Sequence, residues 1–367
     1  MRVVIASDSF KGTLTSLDAN QAIKDGILAV TKDVDVITLP MSDGGDGSLE
    51  VVHHYVGGDL IQEKTKDPLF RDIEAKWLKI GDKAYIEVAQ ASGLSLLGEE
   101  LSPMESSSYG TGLQIKSAIE KGCTEINLLL GGSATTDGGC GILSALGVRL
   151  LNNKGKSFIP TGGTLNKIHD IGYRSSSNSL KDIRFRLLTD VTNPLLGANG
   201  TAHTYANQKG ASSIQVKILE ENMTYLNRVL TRITSIDNSL LSGTGAAGGI
   251  PIGILAFLDC DIVAGFEFFD SISGISKEIA DSQLVITGEG RFDSQSLEGK
   301  VVGNVLDLAN KYEKQVLILC GKVMDDVQGN SNVIIRGVNA KEKPTDSAVA
   351  AKELSSLAEE VYRDFYS

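Results

Sequence analysis

The chain of 367 residues carries 46 acidic and 35 basic side chains, a formal net charge of −11 at pH 7, and 41% of its residues are hydrophobic. This length predicts two domains, and the hydrophobic content is enough for a sizeable core. The excess of acidic residues argues against nucleic acid or an anionic membrane as the main partner, although a local loop can still bind a small anion.

The sequence shows no sign of export or membrane insertion. The four cysteines are far apart and have no CxxC spacing, which favours reduced thiols and no zinc site. The N-terminal MRVVIASD is typical of a first β-strand rather than of a signal peptide. The longest apolar stretch, residues 248–258, is too short to span a bilayer. We therefore expect a soluble cytoplasmic protein.

The first sixty residues have a β-α-β-α pattern. Apolar runs at 3–6 and 34–39 predict buried strands. Apolar residues at helical spacing predict helices over 16–30 and 48–56, with Thr15 or Ser16 as the N-cap of the first. This alternation is typical of an open, doubly wound α/β sheet.

The pattern changes near residue 60 and returns near residue 280. Residues 59–63, 73–80 and 84–88 resemble short strands with hairpin joins, which indicates antiparallel pairing. After residue 280, three further apolar runs alternate with helical patterns. We therefore predict an open α/β domain formed by residues 1–60 and 280–367, with a mixed α/β domain, residues 61–279, inserted between them. A serine-rich surface loop is predicted at 175–179.

The most informative stretch is EINLLLGGSATTDGGCGILSALG at 125–147. It predicts a buried strand, a tight polar loop and a helix N-terminus. Unpaired N–H groups and the positive end of a helix dipole make such a loop favourable for phosphate. The alternative is a simple glycine-rich turn, since the loop matches neither the Walker A nor the GxGxxG motif. The candidate nucleotide- or phosphate-binding residues are Gly131, Gly132, Ser133, Thr135, Thr136, Asp137 and Gly138.

Three further loops set glycine beside acidic or hydroxyl residues: DSFKGT at 8–13, SDGGDG at 42–47 and TGEGRFD at 287–293. Each follows an apolar, strand-like run. Because ligands of open α/β sheets bind beyond the carboxyl ends of the strands, several such loops in one chain indicate a shared cleft.

Two basic residues in these loops are candidates for binding an anion. Lys11, with Ser9 beside it, can hold a phosphate or carboxylate, although a solvated loop lysine is commoner. Arg291, with Asp293 beside it, can hold a carboxylate in bidentate fashion; the alternative is a local ion pair of little energy. The candidate substrate-binding residues are Ser9, Lys11, Arg291 and Asp293.

Three aspartates are candidates for catalysis or metal binding. Asp43 and Asp46 lie three residues apart between glycines, which suits a hydrated Mg²⁺ or a general base; the alternatives are a helix cap and an Asx turn. Asp190 follows a predicted strand and can approach a metal or a hydroxyl, unless it only forms the turn before Pro194. The candidate catalytic residues are therefore Asp190, Lys11 and Asp43, and the candidate metal ligands are Asp46 and Asp43.

Other function classes find less support. No GxSxG motif is present and the four histidines have no metal-binding spacing, which disfavours a hydrolase triad. An NAD(P)-dependent dehydrogenase would need GxGxxG after the first strand and an acidic residue at the end of the second, but the first loop of this chain is DSFKG. A non-catalytic binding protein for an organic acid or nucleotide remains an alternative, although it would not need the cluster of carboxylates.

Six motifs then resemble a known family. ASDSFKGTLTS, LPMSDGGDGS, LLLGGSATTDGGCG, LTDVTNPLLG, GTGAAGGIP and VITGEGRFDSQSLEGK, in this order and across nearly the whole chain, resemble the bacterial type I glycerate kinases. The resemblance implies two α/β domains, one flavodoxin-like and one inserted. It also implies transfer of the γ-phosphoryl group of ATP to D-glycerate with Mg²⁺, giving 2-phosphoglycerate rather than 3-phosphoglycerate.

The residues and the resemblance together predict how this reaction is arranged. We expect a monomer or homodimer that binds D-glycerate and ATP in the cleft between its domains. The acceptor carries its own carboxylate, which needs Lys11 or Arg291 as an anchor. Phosphoryl transfer also needs a carboxylate to orient the attacking hydroxyl, and we expect Asp190 in that role.

Overall fold

A computed structural model describes residues 1–172, 180–297, 300–324, 327–338, 344 and 346–366. The serine-rich loop predicted at 175–179 lies outside these residues. The chain divides into two compact units: unit 1 comprises Met1–Asp43, Glu50–Val56 and Gly265–Ser367, and unit 2 comprises Gly44–Leu49 and Gly57–Ala264. The domain limits near residues 60 and 280 stay a prediction.

Helices and strands alternate through both units. Within the described residues, strands β1 to β15 cover, in chain order, Arg2–Ile5, Asp35–Thr38, Asp59–Lys66, Asp72–Ile80, Lys83–Glu87, Glu125–Leu129, Arg149–Leu151, Asp170–Gly172, Arg184–Leu188, Asp259–Val263, Leu284–Thr287, Arg291–Phe292, Gln315–Cys320, Lys322–Val323 and Val333–Gly337. Helices α1 to α12 cover Ser16–Val30, Ser48–Val56, Ala89–Ser92, Tyr109–Glu120, Cys140–Ala145, Thr201–Tyr205, Ser213–Thr234, Ile250–Phe257, Gly265–Ser273, Ile275–Ala280, Val301–Lys311 and Ser347–Tyr366.

Unit 1 is built on a parallel five-stranded sheet. Its strand order is β2-β1-β11-β13-β15, and every neighbouring pair is parallel. Numbered within the unit, this is 2-1-3-4-5, the flavodoxin-like order. The central strand β11 is buried at every residue, and the apolar residues of β1 and β13 beside it are buried as well, as their apolar runs indicate. The predicted fold class is confirmed.

Helices α1 and α12 pack closely together in unit 1. Thr15 caps α1, because its side chain accepts a hydrogen bond from the Asp18 backbone N–H. Gly26 lets α12 approach, since a Cβ at this position would lie only 2.2 Å from the Ser355 carbonyl oxygen. Ile23 and Tyr362 belong to the shared apolar core that this approach buries.

Unit 2 is built on a mixed six-stranded sheet. Its order is β10-β9-β6-β5-β4-β3; the first four strands are parallel, and β4 and β3 join them as antiparallel strands. The predicted antiparallel strands therefore form this edge of the sheet. Trp77, Ile86, Ile126 and Phe185 lie in the core of the unit. No helix among the described residues is long and apolar enough to cross a bilayer.

Candidate functional site

The candidate residues of unit 1 lie in loops at the carboxyl edge of its sheet. Since β1, β2, β11 and β13 are parallel, the loops that follow them meet at one edge. The loop after β1 is held to the loop after β11 by two hydrogen bonds to the Gly288 carbonyl oxygen, one from the Asp8 backbone N–H at 3.0 Å and one from the Ser7 hydroxyl at 2.8 Å. The backbone thus fixes Ser9 and Lys11 beside residues 289–293.

The predicted charged residues of this edge form two weak ion pairs. The Lys11 ammonium lies 4.0 Å from Asp43 Oδ2, and the Arg291 guanidinium lies 3.5 Å from Asp293 Oδ2. The cationic side chains are 60% and 66% exposed. Solvent-exposed pairs of this kind contribute little energy, so an anionic ligand can compete for either cation.

Asp8 is the buried carboxylate of this edge. Its side chain is buried, and Oδ1 accepts a hydrogen bond from the Ser9 backbone N–H at 2.6 Å. Burial, with the negative charge of Asp43 as the next cause, raises the pKa of Asp8 to about 8, against the lowering effect of Lys11. A carboxyl group with a pKa near neutrality can exchange a proton at physiological pH.

A pocket of about 490 Å³ opens among these loops. Its volume is in the range of small-molecule sites. Acidic and basic side chains from the loops meet apolar side chains from α12 along its wall. The lining includes Asp8, Ser9, Lys11, Asp43, Glu289, Arg291, Asp293, Lys300, Lys322, Ala350 and Leu354.

The candidate residues of unit 2 lie at the carboxyl edge of its parallel strands β5, β6, β9 and β10. Two glycine loops touch there. A Cβ added to Gly131 would lie 2.3 Å from Gly45 Cα, and one added to Gly132 would lie 3.1 Å from Asp46 Oδ1. Glycine at these positions lets residues 44–47 lie against the loop after β6.

The loop after β6 presents a row of unpaired backbone donors. Two backbone hydrogen bonds hold this loop: the Gly132 carbonyl oxygen accepts from the Leu94 N–H, and the Ala134 N–H donates to the Ser92 carbonyl oxygen. In the part of the chain that the structure describes, the N–H groups of Gly131, Gly132 and Ser133 have no acceptor. Gly132 has φ +63°, in the left-handed region. Successive N–H groups around such a residue are typical of an anion-binding nest.

Asp137 holds this loop from inside. Its carboxylate is fully buried and accepts five hydrogen bonds of 2.7–3.2 Å: from the Ser107 hydroxyl, the Ser108 N–H and hydroxyl, and the N–H groups of Gly139 and Gly141. Burial raises the pKa of Asp137, although the hydrogen bonds oppose the shift. These five hydrogen bonds hold the loop in shape, and the predicted contact of Asp137 with a phosphate stays a prediction.

The loop's hydroxyl side chains also turn out to be buried. Ser133, Thr135 and Thr136 are each no more than 4% exposed. Gly131 and Gly132 are the half-buried positions of the loop. The structure therefore gives a ligand access to the backbone at these glycines before any hydroxyl.

A second buried carboxylate, Glu87, lies at the end of β5. It accepts hydrogen bonds from the N–H groups of Gly47 at 3.2 Å and Leu49 at 2.9 Å, at the start of α2. Burial raises the pKa of Glu87 to about 7, and the charge of Asp46 adds to the shift. Glu87 thus anchors the glycine loop that carries Asp46.

Asp190 follows β9 in a local turn. The Thr189 hydroxyl accepts from the Val191 N–H at 3.2 Å, which curves the backbone around Asp190. Asp190 is half-buried and lines a pocket of about 410 Å³ with Thr192, Ser242 and Asp261. The residue therefore faces open space as well as forming part of the turn.

The model of the glycerate kinase family matches residues 3–366. The chain belongs to the glycerate kinase family. It is 38% identical to the glycerate 2-kinase of Escherichia coli (strain K12) over 330 residues, which cover 89% of this chain and 87% of that protein. It is 36% identical to the glycerate kinase of Bacillus cereus over 363 residues, which cover 98% and 94%.

A solved structure agrees with this assignment. The crystal structure assigned to a glycerate kinase 2 of Salmonella typhimurium LT2 has a TM-score of 0.79 and 31% identity, and the match covers 100% of this chain and 98% of that chain. This member of the glycerate kinase family is therefore a kinase, and the resemblance found in its motifs is confirmed.

The structure groups the predicted residues differently from the sequence. Ser9, Lys11, Asp43, Arg291 and Asp293 belong to unit 1, whereas Asp46, Asp190 and the residues 131–138 belong to unit 2. The predicted metal pair Asp43 and Asp46 is thus divided between the units. Among the described residues, no group of three His, Cys, Asp or Glu side chains is arranged to hold a metal ion.

Three titratable residues of these edges received no role from the sequence. Asp8 lies inside one of the motifs, but the sequence does not indicate that its side chain is buried. Glu87 ends a strand whose sequence pattern is ordinary. Lys209 lies some seventy residues from the loop that it contacts. Their roles depend on burial by distant segments, so no local signal could have found them.

Proposed function

We propose that this glycerate kinase family member transfers the γ-phosphoryl group of ATP to D-glycerate, with Mg²⁺, and forms 2-phosphoglycerate. Family membership supports the kinase and its small-acid substrate. The name of the E. coli relative, a glycerate 2-kinase at 38% identity, supports the position of transfer.

The observation that carries the proposal is the row of unpaired N–H groups at Gly131, Gly132 and Ser133. Backbone donors in a nest suit phosphate oxygens because they keep their geometry without any side chain having to be ordered. The half-buried glycines give access to them. We assign this nest to phosphate groups of the nucleotide, with residues 135–138 holding its shape.

The charged edge of unit 1 supports binding of the acid. Lys11 and Arg291 line one pocket with Ser9 and Asp293, and both cationic side chains are more than half exposed. We assign the glycerate carboxylate to Lys11, where an ammonium supplies a charge-assisted contact. Arg291 is the second candidate for the same contact.

We assign Asp190 to the reacting hydroxyl. In this scheme its carboxylate accepts the hydroxyl proton while the hydroxyl oxygen bonds to the γ-phosphorus and the bond to the ADP oxygen breaks. Asp46 and Asp43 are the candidate ligands of Mg²⁺. Carboxylate oxygens are suitable ligands for a hard cation such as Mg²⁺. A Mg²⁺ ion that arrives bound to a nucleotide needs only one or two protein ligands, and it would neutralise phosphate charge.

A coupled ADP-release assay tests the reaction. With D-glycerate, ATP and Mg²⁺ we expect turnover, and ³¹P NMR of the product should show 2-phosphoglycerate. L-glycerate and a chelator serve as controls. A product with the phosphate on the 3-hydroxyl would correct the position, and absence of ADP release above background would reject the function in favour of a binding protein.

A further inference from the structure

Lys209 is a buried lysine that touches the loop after β6. It ends a short turn after α6 and is only 3% exposed. Its ammonium donates to the Thr135 carbonyl oxygen at 2.6 Å and to the Ser133 hydroxyl oxygen at 3.0 Å. Lysine is almost never fully buried without a charged partner. Within the described residues, no carboxylate oxygen lies within 4 Å of this ammonium, so its position in the fold needs another explanation.

The loop that Lys209 contacts carries several polar groups that lack a hydrogen-bond partner among the described residues. The Thr135 and Thr136 hydroxyls are buried and, among the described residues, have no hydrogen-bond partner. The N–H groups of Gly131, Gly132 and Ser133 also lack acceptors. The nearby carboxylate of Asp137 is already engaged by five donors. A bound anion is the ligand class that would satisfy the three N–H groups of the nest.

Ser133 connects the buried lysine to the backbone nest. Its hydroxyl oxygen accepts from Lys209, so its own proton must be donated elsewhere. Its N–H is one of the three unpaired donors of the nest. A change in charge on Lys209 therefore acts directly on a residue that takes part in the nest.

We propose that Lys209 is a positioning residue and counter-charge for this phosphate-binding loop, and that it takes up a proton when a phosphate group of the nucleotide binds. The inference rests on the proposed function, in which the nest binds phosphate. Lys209 does not touch the ligand in this scheme; it holds Ser133 and Thr135 in place and balances the added negative charge.

The electrostatics of the site agree with this role. Burial lowers the pKa of Lys209 to about 7, and the charge of Asp137 opposes the shift only in part. Above neutrality the side chain is therefore mostly uncharged in the ligand-free protein. Negative charge brought to the nest favours the ammonium form and raises the pKa, so binding and protonation are linked.

The test is the proton balance of ATP binding, measured by calorimetry at pH 8 in buffers of different ionisation enthalpy. For the wild-type protein we expect uptake of about half a proton or more per ATP, because a group with a pKa lowered to about 7 is mostly deprotonated at pH 8. Lys209→Gln keeps a hydrogen-bond donor but cannot be protonated. It should lose this uptake and bind ATP on the order of tenfold more weakly.

Two further variants keep the test decisive. Lys217→Gln changes an exposed lysine of α7 and should behave as wild type. Ser133→Ala removes one of the two acceptors of Lys209 and should weaken ATP binding, which provides a test even if Lys209→Gln folds poorly. Unchanged proton uptake in Lys209→Gln, or ATP binding by the wild-type protein without proton uptake, would overturn the inference about Lys209 and leave the proposed function standing. Absence of ATP binding by the wild-type protein would overturn the proposed function as well.

Discussion

The two units place different chemistry at the carboxyl edges of their sheets. In unit 1 the anion-binding candidates are side chains: Lys11 and Arg291 are more than half exposed, each beside a carboxylate. In unit 2 they are backbone N–H groups at Gly131 to Ser133, and the loop's polar side chains are buried. The strand–loop–helix pattern of the sequence is the same in both.

The comparison shows how one strand–loop–helix pattern can present either side-chain cations or backbone N–H groups to an anion. Flexible cations around an open pocket suit a small acid that arrives and leaves with solvent around it. The loop that forms the backbone nest is held by Asp137, and the neighbouring loop at residues 44–49 is held by Glu87. Such a nest has few internal degrees of freedom, which suits the charged groups of a transfer reaction. The following changes would break or sharpen this distinction.

The largest effect is expected for Asp190→Asn. If Asp190 accepts the proton of the reacting hydroxyl, the uncharged isostere should lower kcat by about 10²–10⁴-fold with little change in nucleotide affinity. Steady-state kinetics and ATP binding measure this. Asp261→Asn is the control, because Asp261 lines the same pocket but pairs with Arg184. If Asp190→Asn keeps most of its turnover, the residue only forms the turn before Pro194.

The next effect is expected for Gly131→Ala. The added Cβ would lie 2.3 Å from Gly45 Cα and 2.5 Å from Gly45 N, and backbone atoms cannot yield without moving a loop. A displacement near 1 Å in the nest should lower kcat/KM by about a hundredfold. Gly122→Ala is the control, since it strains a left-handed residue with no atom in the way. Similar activity in both variants would contradict a backbone site.

A smaller effect is expected for Lys11→Ala. Loss of one charge-assisted contact costs about 1.5–3 kcal/mol, which lowers kcat/KM for glycerate by roughly ten- to a hundredfold. Because the side chain is 60% exposed, the unfolding temperature should not change. Lys32→Ala, at another exposed lysine, should leave the kinetics as in wild type. An unaltered KM and kcat in Lys11→Ala would remove Lys11 from the anion site.

The smallest effect concerns stability. The pKa of Asp8 is raised to about 8, so between about pH 4 and 8 the folded protein keeps a proton that the unfolded chain has released. The free energy of unfolding therefore falls as pH rises through this window. Asp8→Asn removes that dependence and should raise the melting temperature by a few degrees at pH 8.5, and less at pH 5. Melting curves measured across this range provide the check, and parallel pH profiles for both proteins would contradict it.

Much of the framework was predictable because it depends on local pattern. The apolar runs at Leu284–Thr287 and in β1 indicated strands covered on both faces, and Thr15 was recognisable as a cap. Strand β10 was missed, since Asp259–Val263 is a short edge strand with two acidic residues and no strong apolar run. Edge strands have less surface to bury, so their pattern is weaker.

The sequence alone determined the family, the parallel α/β organisation and the glycine loops, because these depend on contiguous motifs and on the spacing of apolar residues along the chain. The tertiary structure decided which groups within those loops are buried and which are accessible to solvent. It buried Asp137 among five donors, placed Asp43 in unit 1 and Asp46 in unit 2, and brought Lys209 to the loop at Ser133. Burial and electrostatic neighbours come from segments distant in the chain, and only the folded arrangement fixes them.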